Sequence, residues 1–176
     1  MRNVGMNKFG IMIMSGFAAL WFVWGLSALG SVPALVLLVP AAVSGTMIAL
    51  ASRIPVTADG ATHKRVGRVV GIASGLEGLA IFAAANVLNW TGHTGYFVCA
   101  TAAIVGLHFL PLAHFFRVRS YYVAGAALMA LAAGGCAVPD EGTRVLMVGI
   151  GAAVVLWVTC LAAFGRRPVG AVAMGV

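Results

Sequence analysis

Apolar runs alternate with short polar breaks along almost the whole chain. A bilayer's hydrocarbon core takes about 20 apolar residues in a helix, and each run reaches roughly that length. The pattern predicts spans at about 9–29, 33–52, 68–89, 95–115, 120–138 and 145–165. The breaks carry turn chemistry. Gly30-Ser31-Val32-Pro33 reads as a tight turn, with Pro33 suited to opening the next helix. Arg53 to Gly67 is polar, Asn89 to Gly95 reads NWTGHTG, Arg117 to Ser120 is a short basic break, and Val138 to Arg144 reads VPDEGTR. The last span ends at Gly165-Arg166-Arg167-Pro168.

Composition agrees with the pattern. Of 176 residues, 62% are apolar and 9% charged, whereas soluble domains carry about 25% charged residues. A soluble domain, a disordered chain and a coiled coil are excluded. The fold class predicted is all-α: a polytopic membrane helix bundle, one transmembrane domain over residues 1–176. The start, Met1 to Lys8 before an apolar run, imitates a signal peptide, but the run from Phe9 to Leu29 exceeds the 7–15 residues of such a segment. It is read as the first span.

Charge supplies orientation. The net charge is +7, and with the N-terminus inside, 10 of the 11 Lys and Arg fall on the cytoplasmic side, leaving only Arg144 outside. Such a bias supports six transmembrane helices with both termini in. Short outer breaks then make three antiparallel hairpins. Trp90 and Tyr96 fall at the outer interface, and Phe115, Phe116, Tyr121 and Tyr122 at the inner one, as aromatic belts do. The basic cluster at the inner face suits anionic lipid headgroups.

One acid lies inside a span, Glu77. Intramembrane ionisable residues are costly and commonly functional. Glu77 lies nine residues above Arg68, about 13 Å at the helical rise. His108 lies eight residues above Phe116, about 12 Å by the same rise. Equal depth on consecutive spans predicts a Glu77–His108 pair. Burial and pairing act on such groups in opposite senses, so the pair could hold or pass one proton near neutral pH; the competing reading is a structural hydrogen bond between helices. One Glu and one His are too few for a metal cage, and no cofactor is expected.

Other features are placed beside this pair. Gly67, Gly71, Gly75 and Gly78 form a stripe on the third span, extended outward by Asn86 and Asn89. It is read as a tight helix contact or as a narrow path with Asn86 and Asn89 as outer polar contacts. Glu77 projects roughly 100° from it. Pro111 beside His108, and Pro40 with Ser44 and Thr46 nearby, are kink candidates. Phe17, Trp21 and Trp24 repeat at helical spacing, so Trp21 and Trp24 are core residues or a pocket wall. Cys99, Cys136 and Cys160 show no metal spacing and read as buried thiols; Cys99 and Cys136 both fall near the outer surface, which leaves a disulfide open.

The stretch GLHFLPLAHFFRVRSYY, following a span with GLEGLAIF, resembles small six-span bacterial inner-membrane proteins of uncharacterised function. The likeness covers spans three to five. It implies a bacterial inner membrane and brings no activity.

Three functions fit these residues. A small transporter or channel would use Glu77 and His108 for proton coupling. A membrane binding or accessory protein would use the same polar residues as interhelical glue. A membrane-embedded enzyme would use Glu77 and His108 as acid and base. The expected partners are the lipid bilayer and a second copy or another membrane protein; nothing suggests nucleic acid.

Overall fold

The computed structural model describes residues 8–54 and 60–165, the side chains of 60–65 and 165 excepted. Asp59, the His63-Lys64-Arg65 side chains and the Arg166-Arg167-Pro168 end therefore lie outside the described residues. The helices are α1 Lys8–Ser27, α2 Ala34–Ser52, α3 Gly60–Trp90, α4 Phe97–Phe116, α5 Arg119–Cys136 and α6 Glu141–Gly165, with a single 3-10 turn at Thr94–Tyr96. No strand occurs among the described residues.

Five helical segments are long and apolar enough to cross a membrane: Lys8–Ser27, Ala34–Ser52, Val66–Trp90, Thr94–Phe116 and Glu141–Phe164. The fifth predicted span is the exception. α5 has 18 residues and opens on Arg119, Ser120, Tyr121 and Tyr122, so a polar first turn takes part of a short helix. The third predicted span is also corrected. α3 starts at Gly60 rather than at residue 68 and runs for 31 residues, about 46 Å at the helical rise. Much of the predicted polar loop is thus a helical extension beyond the apolar stretch.

The turns use the residues expected of them. Gly30 and Gly92 take φ of +72° and +74°, the left-handed region, which glycine enters without steric cost. Pro33 caps α2 at φ −55°. The short link between α4 and α5 is built on Arg117, which is left-handed at φ 54°.

α1 packs most extensively on α6, and α4 on α5; α5 also meets α6, and α4 meets α6. These four helices form the core. α2 packs chiefly on α1, and α3 chiefly on α4. Ile11, Val98, Leu128, Val148 and Leu156 are the large buried side chains at the centre.

Lipid tails are as apolar as leucine, so helices associate through close packing and polar contacts instead. Both are present. Gly25 of α1 and Gly149 of α6 bring their backbones into contact, as do Gly106 of α4 and Gly125 of α5. Between α1, α2 and α6, Ser44 donates to the Ser15 carbonyl at 2.7 Å and accepts from Trp157 Nε1 at 3.0 Å. The sequence alone offers Ser44 as a partner for the backbone around Pro40. The structure uses it to join three helices.

α6 begins with a side-chain cap. Asp140 Oδ2 accepts from the Thr143 backbone N–H at 2.7 Å, satisfying one of the free donors at a helix start. The Thr143 hydrogen bonds hold the exposed Asp140 carboxyl below its ordinary value. A depressed folded pKa gives stability that is complete above the unfolded value of about 4, and that stability is lost as pH falls through the folded value. The thermal midpoint of wild type should therefore exceed that of Asp140→Ala at about pH 6, with the gap closing towards about pH 3. Circular dichroism in detergent checks this; a gap independent of pH would refute the cap.

Candidate functional site

Glu77 interrupts an otherwise apolar stripe. On α3 the half-buried positions include Val66, Val69, Val70, Ala73, Ala80, Ile81, Ala84, Ala85 and Leu88, which recur at the i, i+3, i+4 spacing of one helix face. Glu77 falls at the middle of this face. Val69 and Ala73 on the same face pack against the central core. The face opposite carries Ile72, Leu76, Leu79 and Phe82, all exposed at the outside of the bundle. Glu77 therefore points at protein, as an ionisable group in a bilayer must.

The group it meets is His108 of α4. Nδ1 of His108 lies 3.6 Å from Oε2 of Glu77. The separation is that of an ion pair and is longer than a direct hydrogen bond. The two side chains keep 12% and 19% of their surface, His108 being the more enclosed. His108 also sits edge-on to Phe109, with ring centroids 6.1 Å apart. Phe109 in turn meets Tyr121 of α5 at 5.4 Å.

α4 is therefore gripped on two sides. Gly106, two residues from His108 and so about 200° round the helix, touches Gly125 of α5 through backbone. The opposite side offers His108 to α3. Pro111 lies within the continuous helix Phe97–Phe116 and is exposed. A carboxylate and an imidazole placed this way can share one proton, and a change in its position alters a polar tie between α3 and α4.

The other sequence candidates are not gathered here. Asn86 lies nine residues beyond Glu77, so on the opposite side of α3, and donates to the Phe82 carbonyl of its own helix at 2.8 Å. Asn89 is also exposed. Trp21 is buried and stacks on Trp24 at 5.1 Å, and Trp24 meets Phe97 at 5.7 Å. Pro40 is buried within α2. The glycine stripe is corrected: a Cβ added at Gly67, Gly71, Gly75 or Gly78 would meet nothing within 4 Å, so these glycines make no close contact inside the protein. Among His, Cys, Asp and Glu of the described residues, no group of three could hold a metal.

Arg144 is the residue that sequence reasoning misses. The charge pattern puts it at the outer surface beside Asp140 and Glu141, but it is 3% exposed. Its guanidinium donates to the carbonyls of Gly135, Val138, Pro139 and Gly95. It also lies 4.0 Å from the centre of the Tyr96 ring. The one signal for it in the sequence is its position, a single arginine on the side that the predicted topology leaves otherwise free of Lys and Arg.

Five membrane-length helices, tight glycine contacts and an enclosed Glu–His pair define the class: a multi-pass helical membrane protein. Comparison with protein-family models, curated proteins and solved structures finds no match to this chain.

Proposed function

We propose that the protein is a small transporter or channel whose proton-responsive element is the Glu77–His108 pair. The observation that carries this reading is the 3.6 Å contact between the acid at the centre of α3 and a histidine on α4. Ionisable groups kept inside a membrane typically mark ion pathways and proton relays. Because α3 is attached chiefly to α4, protonation at this joint would bias how the edge helix sits. The topology proposed with it has six spans in three hairpins, with both termini in the cytoplasm of a bacterial inner membrane. Anionic lipids would meet the basic inner face.

The test is proton flux into proteoliposomes loaded with a pH-sensitive dye, under an imposed potential. Wild type should acidify the lumen faster than empty liposomes. Glu77→Gln should fall to the empty-liposome rate while keeping its helical circular dichroism. If wild type itself matches empty liposomes across the potentials applied, the reading fails.

A second reading, a membrane accessory protein, is favoured by one observation: the glycine face of α3 is open. A glycine face of this kind permits close approach of another helix, from a second copy or a different membrane protein.

A further inference from the structure

We propose that Cys99 and Cys136 form a redox-modification site, a dithiol that closes to a disulfide by exchange with a low-molecular-weight disulfide of the glutathione type. Cys99 lies in the first turn of α4 and Cys136 is the last residue of α5. Both are free thiols, and both line the same groove between α4 and α5. Backbone geometry explains how they meet. A Cβ added to Gly135 would come within 2.8 Å of Cys99 Sγ, so the absence of a side chain there lets the Cys99 sulfur reach the end of α5, beside Cys136. Closing the pair forms a covalent S–S bond of ~2.05 Å.

The two thiols differ in access. Cys136 is exposed and Cys99 is buried. Both line a groove of about 440 Å³ between α4 and α5, together with Tyr96, Leu107 and Met129. The exposed member is suited to attack and the buried one to resolve. The Cys136 thiolate attacks one sulfur of the oxidant, forming a mixed disulfide and releasing the first small thiol. Cys99 Sγ then attacks Cys136 Sγ, the internal S–S bond forms, and the second small thiol leaves. The two protons lost by the cysteines end on the two released thiols, so the protein pair is oxidised by two electrons and the oxidant reduced by two.

Cys160 is an internal control. It is fully buried on α6 against α1, where its thiol meets the Ile11 carbonyl and the Ser15 hydroxyl. On the topology proposed above, the Cys99–Cys136 end faces the periplasm, where disulfides persist.

The full chain in detergent micelles is incubated with oxidised glutathione, and intact mass and free thiols under denaturing conditions are read together. Wild type should lose two of its three thiols, become lighter by two hydrogens and carry no glutathione. Cys99→Ser should stop as a glutathione adduct at Cys136. Cys136→Ser should remain reduced over the same period. A wild type that stays reduced, stops at the adduct, or couples to a second chain through Cys136 overturns the proposal.

Discussion

Replacing Arg144 by alanine should lower stability by about 3 kcal/mol or more, the range reached when several charge-assisted hydrogen bonds in a buried site are lost. Arg144 joins segments remote in sequence. Nη1 donates to the Gly95 carbonyl at 2.8 Å, Nη2 to Val138 at 2.8 Å and Pro139 at 3.2 Å, and Nε is shared between Gly135 and Val138. The α3–α4 link is thereby tied to the α5–α6 link. The carbonyl of Gly135, in the last turn of α5, also accepts from the Val138 backbone N–H at 3.1 Å, so Arg144 is an additional donor there. Alanine takes this donor from the Gly95, Val138 and Pro139 carbonyls and removes the cation from the Tyr96 face.

Arg144→Lys decides whether charge or shape matters. An ammonium carries the same charge on a compact head, but lacks the planar fork that reaches carbonyls on several sides. It should recover only a minor part of the loss. Unfolding by increasing SDS, followed by circular dichroism, reads both variants. An alanine variant within about 0.5 kcal/mol of wild type, the usual range for surface changes, would show that the clamp is not holding these links.

The second large effect is expected at the α1–α6 contact. A Cβ at Gly149 would overlap the backbone of Gly25 and lie 2.9 Å from the Trp21 carbonyl. Ordinarily Gly→Ala within a helix gains up to about 1 kcal/mol through the backbone. Here the obstacle is main chain, which cannot rotate aside, and overpacking costs about 1–3 kcal/mol, occasionally more. Gly149→Ala should therefore destabilise by about 2 kcal/mol net, the difference between a penalty near the top of that range and the backbone gain. Gly75→Ala on α3 is the matched control. Its site is open, so it should be neutral or stabilising by up to about 1 kcal/mol. Equal responses at the two glycines would contradict the packing described.

This contrast shows where sequence reading stops. The third span carries the recognisable small-residue motif, Gly71-Ile72-Ala73-Ser74-Gly75, yet its glycines make no close contact within the chain. The backbone-to-backbone approaches between helices come from Gly25, Gly149, Gly106 and Gly125. Packing is a property of two surfaces, and a motif describes one of them. The Glu77–His108 contact is more legible, because the helical rise places both at one depth on neighbouring spans. Asn86 and Asn89 lie near Glu77 in sequence, but helical rotation carries Asn86 to the opposite side. Arg144 reads as a surface charge because its partners are carbonyls, which no side-chain pattern reports.

The sequence by itself determined the solvent. Long apolar runs and few charges require helices in a bilayer, since only internal hydrogen bonding satisfies backbone there. It also determined that Glu77 would be the exceptional acid. Tertiary structure decided which helices are neighbours and which face of each is turned inward. In water, apolar periodicity would have marked the inner face. In lipid the inner and outer faces are both apolar, so that distinction falls to small residues that allow backbones to touch and to the few polar groups that must find one another.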